Sequence, residues 1–284
     1  MKFAAVLLLL ITALARAQFG NVLNRAKERV DKAREQAKPV ATRAERAATT
    51  FQPWSAVDEE KIGHATAAKM IAMFGLVDNP GLARYVNLVG QSVAQFAARQ
   101  VAYRFGILDS PIVGAYALPG GFIFITRGAL EGMSTEAELA GALGHEVIHV
   151  AERHLEREVR ARNTSSWATE EASARAGTQS SIIRDALIKD LFNTKLSRDK
   201  EDGADRDGSS LATQAGYAGT GLLEFLKTLE AANSKQENSQ AFGQLLTTHP
   251  PFAERIARLA AVSERSPGGV TLAARFEAAM AAAR

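Results

Sequence analysis

The sequence predicts an α+β fold, mostly helical, with a small antiparallel sheet. Three observations carry this. Residues 55–75 and 80–100 repeat apolar side chains at helical intervals. Residues 103–126 (YRFGILDSPIVGAYALPGGFIFIT) switch to short β-branched and aromatic runs, broken by Asp-Ser-Pro and Pro-Gly-Gly. From Thr135 onward the pattern is helical again, with breaks at 162–180, around 216–221 and at His249-Pro250-Pro251. Helices, a meander, then helices is the order of an α+β chain rather than of repeated βαβ units.

The chain has 284 residues, 46% hydrophobic and 23% charged, enough for one good-sized core. There is no internal repeat and no long Pro/Gly/Ser linker, so one main domain is expected over 51–265, followed by a helical tail over 266–284. Residues 1–17 (MKFAAVLLLLITALARA) combine Lys2, an apolar run from Phe3 to Leu14 and Ala15-Arg16-Ala17, the three parts of an export signal. The run is shorter than the roughly 20 residues of a membrane span. Cleavage near Ala17 and a periplasmic or secreted product are expected. The chain contains no cysteine. An exported product would then rely on its core rather than on disulfides, and any metal would be held by His, Asp or Glu.

Residues 18–50 hold eight Lys/Arg and four Asp/Glu. They read as a basic, Ala-rich helical segment broken by Pro39, either solvated or in contact with an anionic membrane surface or a partner. The formal charge of the whole chain is only +3, and nothing suggests a nucleic-acid partner. Ile62, Ala65, Met70, Met73 and Phe74 then fit one helical face, and Leu82, Tyr85, Val86, Val89, Val93 and Phe96 another, with a turn at 78–81. The β-prone run that follows predicts two or three strands, with a hairpin at Pro119-Gly120-Gly121.

The next helix carries the chemistry. In STEAELAGALGHEVIHVAERH, Thr135 and Glu138 are spaced as a capping box, and Leu139, Leu143, Val147 and Val150 form an apolar face. His145-Glu146-Val147-Ile148-His149 is an HExxH motif. Its histidines are one turn apart on one side of the helix, so both imidazoles can reach one ion. Glu146 lies about 100° round the helix, where it reaches a water on that ion rather than the ion itself. Zinc suits such a site, because a catalytic zinc keeps three protein ligands and one open position. The metal lowers the pKa of the bound water, and Glu146 is placed to take the proton and return it to the leaving amine.

The third ligand is not in the motif. Where a metzincin has its Gly and third His, this chain has Glu152 and Leu155. His154 falls one place short. On a continuing helix it points about 180° from His145, so it reads as an exposed or capping histidine. Glu170 and Glu171 are candidates in a loop-like context. Glu201 and Asp205, at i and i+4 in LSRDKEDGADRDG, are favoured: Glu201 to reach the zinc, Asp205 to fix the tautomer of a ligand histidine.

Five stretches in this order, DSPIVGAYALPGGFIFITRGAL, ELAGALGHEVIHVAERH, SRDKEDGADRDG, QAGY and THPPFAERIARL, resemble the HtpX/BepA-like gluzincin metallopeptidases related to the CAAX prenyl proteases. The resemblance covers about residues 55–260. It implies a gluzincin-like domain in which His145, His149 and Glu201 bind one zinc ion and Glu146 is the general base. It implies that an edge strand from Gly121 to Thr126, including Phe122, Ile123, Phe124 and Ile125, pairs with substrate backbone. It matches His249 to a histidine that lies over the zinc, as a reversible fourth ligand or an electrophile, and Arg255 to a basic residue of open role. The implied activity is endopeptidase cleavage of polypeptides, namely misfolded or stalled envelope proteins. The alternative is a chaperone-like binding protein whose zinc site is shut by His249. The chain departs from the family pattern at Gly114, often Asn, and at Gly203, usually acidic or amide. It also lacks the family's transmembrane helices and tetratricopeptide repeats.

Overall fold

Chain entry into the first helix is set by side-chain caps. In the computed structural model, which describes residues 53–166, 196–234, 251–263 and 268–282, helix α1 (Ala56–Phe74) begins at Ser55. The Ser55 hydroxyl accepts from the Asp58 N–H, and the Asp58 carboxylate accepts in return from the Ser55 N–H. Gly75, at φ 74°, ends the helix. The buried face of α1 runs through Gly63, Thr66, Ala67 and Met70, and Met73, expected on it, is 55% exposed. Helix α2 (Pro80–Ala94) starts with Asn79 as cap and Pro80 in the first turn, and buries Leu82, Val86, Val89 and Val93.

The predicted meander forms three strands, β1 (Arg104–Leu108), β2 (Ala115–Leu118) and β3 (Phe122–Thr126), in the order β1-β3-β2. The β2–β3 hairpin turns at 119–121, with Gly120 and Gly121 at positive φ. β3 is antiparallel to β2 and parallel to β1. This corrects one expectation. The strand containing Phe122, Ile123, Phe124 and Ile125 is the central strand rather than an edge, and all five of its residues are buried. A strand covered on both faces reads as an unbroken apolar run. With both sides paired, it has no ladder positions left for a peptide, and Gly121 lies in the turn. The open edge next to it belongs to β2, among the described residues.

After the short α3 (Arg127–Glu131), Thr135 caps α4 (Glu136–Ala151) by accepting from the Glu138 N–H. Every residue of α4 from Glu136 to Val150 is buried, so this helix is the axis of the structure rather than an amphipathic surface element. Around it stand α5 (His154–Ser166), α6 (Arg198–Gln214), α7 (Gly221–Ser234), α8 (Phe252–Ser263) and α9 (Ala273–Ala281). Two glycine contacts let α4 come close to its neighbours. A Cβ on Gly144 would stand 2.5 Å from the Gly208 carbonyl oxygen, and one on Gly208 would stand 2.5 Å from the His145 nitrogen. Gly221 likewise lies against the Ala137 carbonyl, where a Cβ would be 2.0 Å away. Backbone therefore touches backbone, bringing α6 against the histidine-bearing helix.

The first turn of α4 is fastened from far along the chain. Glu136 is fully buried and accepts from the hydroxyls of Tyr85 (2.8 Å) and Tyr217 (2.7 Å). Arg275, on α9, grips the same carboxylate with two guanidinium N–H groups. The Ala137 N–H donates to the Thr271 carbonyl, and Phe276 is buried. Burial opposes ionisation of Glu136, but Arg275 and the two tyrosines still hold its carboxyl below the usual range.

Two glycines of α6 should respond in opposite ways to alanine. Nothing lies within 4 Å of a Cβ on Gly203, so Gly203→Ala should stabilise by about 0.5–1 kcal/mol through helix propensity. Gly208→Ala must push α6 off α4 and should cost about 1–3 kcal/mol or more. Urea unfolding midpoints of the two variants check this.

Candidate metal centre

Helical geometry sets the first two groups. His145 and His149 lie one turn apart on α4, with Nε2 atoms 2.9 Å from each other. Glu201 enters from the first turn of α6, with Oε2 3.7 Å from His145 Nε2 and Oε1 3.6 Å from His149 Nε2. One ligand atom from each of these three residues lies within 4.8 Å of the others, and all three are buried. Among the described residues this is the one such group. Two imidazoles and a carboxylate form a donor set suited to zinc.

Charge supports the same reading. Glu146, Glu201 and Asp205 are all buried, and Arg255 is buried among them. Three buried carboxylates against one buried guanidinium give the group an acidic excess that a bound cation would offset. Buried charge on this scale is costly without such compensation.

Asp205 lies one turn beyond Glu201, its Oδ1 2.8 Å from His145 Nδ1. Arg255, from α8, donates to both oxygens of Asp205, Nε to Oδ2 at 2.9 Å and an NH2 group to Oδ1 at 2.6 Å. Burial would raise the Asp205 carboxyl, but the Arg255 guanidinium and His145 hold it far below the usual range. Burial likewise disfavours the charged form of His145, and Asp205 reverses this and raises its pKa. The carboxylate thus draws the ring proton to Nδ1 and leaves Nε2 facing His149 and Glu201. Arg255 had no role assigned from sequence. A carboxylate as buried as Asp205 requires a counter-charge, and that requirement was the available signal.

His154 needs correction. It is buried, and its Nδ1 lies 2.8 Å from Nδ1 of His149. The expectation that it points away assumed one continuous helix. Instead α4 ends at Ala151, Arg153 takes φ 52°, and α5 begins at His154. Burial, followed by the charges of Lys200 and Arg157, pushes the His154 imidazole down to about 4, so it is neutral near pH 7. His249, Glu170 and Glu171 lie outside the described residues.

Strand β2 runs beside the two histidines. One apolar cavity joins Gly114 and Ala115 to His145, Glu146 and Arg255, with Leu222 and Phe225 of α7 among its walls. A second joins Ala117 and Leu118 to His149. Tyr116, between them, has its phenol pushed up to about 12 by burial and by the charge of Glu146. The Thr126 N–H donates to the Gly114 carbonyl. By the alternation of an antiparallel ladder, the main-chain groups of Tyr116 and Leu118 face β3, and those of Ala115 and Ala117 face outward.

The family model described as peptidase family M48 matches residues 79–263. The chain is 32% identical over 146 residues to the metalloprotease YcaL of Escherichia coli (strain K12), covering 50% of this chain and 55% of YcaL. It is 25% identical over 194 residues to the beta-barrel assembly-enhancing protease of the same organism, covering 64% of this chain and 39% of that protein. A mitochondrial metalloendopeptidase of Arabidopsis thaliana is 28% identical over 171 residues, covering 56% of this chain and 31% of that protein. The chain thus spans about half, or less, of the length of these relatives.

Removing the groups behind the two ends of this site should show in metal binding. Glu201→Ala should weaken zinc binding by more than about 100-fold, and Asp205→Ala by about 10–100-fold. Asp205→Ala should also destabilise the metal-free protein by about 3–5 kcal/mol, because it leaves Arg255 buried without its partner. Competition with a chelator and denaturant unfolding measure the two effects.

Proposed function

Because the chain belongs to peptidase family M48, we propose that it is a zinc-dependent endopeptidase acting on extended polypeptides. The observation that carries this is the convergence of His145, His149 and Glu201 on one point, with Glu146 beside them in a cavity open to β2. His145, His149 and Glu201 would hold the zinc, which when bound would supply Lewis-acid chemistry toward water and a peptide carbonyl. Glu146 accepts the proton of the attacking water and delivers it to the leaving amine as the peptide bond breaks. Asp205 keeps the His145 proton on Nδ1, and Arg255 keeps Asp205 ionised through this cycle.

The substrate lies along β2. An extended peptide can add to its free edge through the outward N–H and C=O groups of Ala115 and Ala117. This places the peptide between the two cavities flanking the histidines. Backbone recognition of this kind favours unfolded chains, which present extended segments whatever their sequence. The export signal read at residues 1–17 and the name of the beta-barrel assembly-enhancing protease support misfolded or stalled envelope proteins as substrates. Among the described residues no helix is long and apolar enough to cross a membrane.

The test is digestion of unfolded casein by the zinc-loaded protein. Wild type should cleave it and a chelator should stop cleavage. Glu146→Gln should lose at least about a thousandfold in kcat while retaining zinc. Ala117→Pro removes one outward N–H from an edge strand that tolerates proline. It should raise KM about 2–10-fold, the worth of one hydrogen bond, without changing zinc affinity. If neither wild type nor His249→Ala cleaves any unfolded protein with zinc present, the chaperone-like binding reading replaces this one.

A further inference from the structure

We propose that His154 is the positioning residue of His149, accepting its Nδ1–H and so keeping its Nε2 lone pair aimed at the metal. The inference rests on the reading of this site as a zinc site.

The geometry allows one productive arrangement. The two ring nitrogens of His149 have separate neighbours: Nε2 faces His145 Nε2 at 2.9 Å, and Nδ1 faces His154 Nδ1 at 2.8 Å. At that separation one Nδ1 donates a proton to the other, and the tautomers decide which. If His154 donated it, His149 would carry its own proton on Nε2 and present no lone pair to an ion. If His149 donates it, Nε2 is the lone-pair end and the ring is held in the plane that serves the site. Only the second arrangement is compatible with metal.

The backbone is bent to make this contact. Arg153 is one of two non-glycine residues with positive φ among the described residues, at φ 52°. That conformation is unfavourable for a side chain of its size. Arg153 is held there by ion pairs to Glu59 at 2.8 Å and to Glu156 at 3.5 Å, and by donation to the Trp54 carbonyl. The turn breaks the helix immediately after the motif and brings the ring at 154 back against the ring at 149, where an unbroken helix would point it away. The two ligand histidines are therefore held differently, His145 by an anion backed by Arg255 and His149 by a neutral ring seated by a backbone turn.

Zinc affinity tests this independently of any peptidase activity. Two variants of similar size separate acceptor chemistry from packing: His154→Asn keeps an acceptor near the Nδ1 position, and His154→Leu does not. Chelator competition on the purified full chain should show His154→Leu binding zinc about 10–100-fold more weakly than wild type, and His154→Asn within about threefold of it. Wild-type affinity in His154→Leu, or equal weakening in both variants, would overturn the proposal. A readout on the unmutated protein covers the case in which a variant does not fold. The zinc-loaded wild type should show a slowly exchanging, downfield His149 Nδ1–H proton resonance, and its absence would also overturn the proposal. A wild-type chain that binds no zinc would sink the metal reading itself, a result distinct from either of these.

Discussion

The site depends on a contact between two glycines. Gly144 and Gly208 let α4 and α6 touch through their backbones. Glu201 and Asp205 have short side chains for the distance they must cover, and neither could meet His145 from a helix set back by the width of ordinary side chains. Helices usually pack 8–10 Å apart, with the value set by the residues at the crossing. Here the smallest residue stands on both sides of the crossing, one position before the first histidine and one turn after Asp205. The meeting of His145, His149 and Glu201 therefore depends on two residues that carry no chemistry.

The same closeness makes the interior electrostatically demanding. Three carboxylates, two imidazoles and a guanidinium share a volume from which water is largely excluded. Several are paired with one another, His145 with His149 and Asp205, and Asp205 with Arg255, so the members are not independent. Arg255 donates to Asp205, and Asp205 in turn pairs with His145. A change in one is felt by the next as a change in proton position, and low dielectric strengthens every link.

Much of this was legible in the sequence. The HExxH spacing, the Thr135 cap and the i, i+4 pair of Glu201 and Asp205 are local helical signals, and the structure places these side chains together. The hairpin at 119–121 was also legible, because Pro-Gly-Gly admits few other conformations. Two readings failed for one physical reason: both extrapolated a local pattern across a feature that tertiary structure decides. Phe-Ile-Phe-Ile has the same appearance at an edge as in the centre of a sheet, and its place followed from a parallel partner, β1, earlier in the chain. His154 points away on a continuing helix, and nothing in Glu152-Arg153 announces a left-handed residue, since the ion pair that holds it comes from Glu59, far off in sequence. The role of Arg255 was hidden in the same way, because its partner lies 50 positions earlier.

The fastening of Glu136 bears on the order in which the molecule is made. A ribosome delivers Glu136 and the histidines first, then Glu201 and Asp205, then Arg255, and only afterwards Arg275, which follows Glu136 by 139 positions. Contacts at such separations close late, because the intervening chain must first be ordered. A nascent chain can therefore hold its histidine helix without holding the parts that align and anchor it. The vectorial order of synthesis becomes an order of assembly, in which the cluster around the histidines is completed only after most of the polypeptide has left the machinery that produced it.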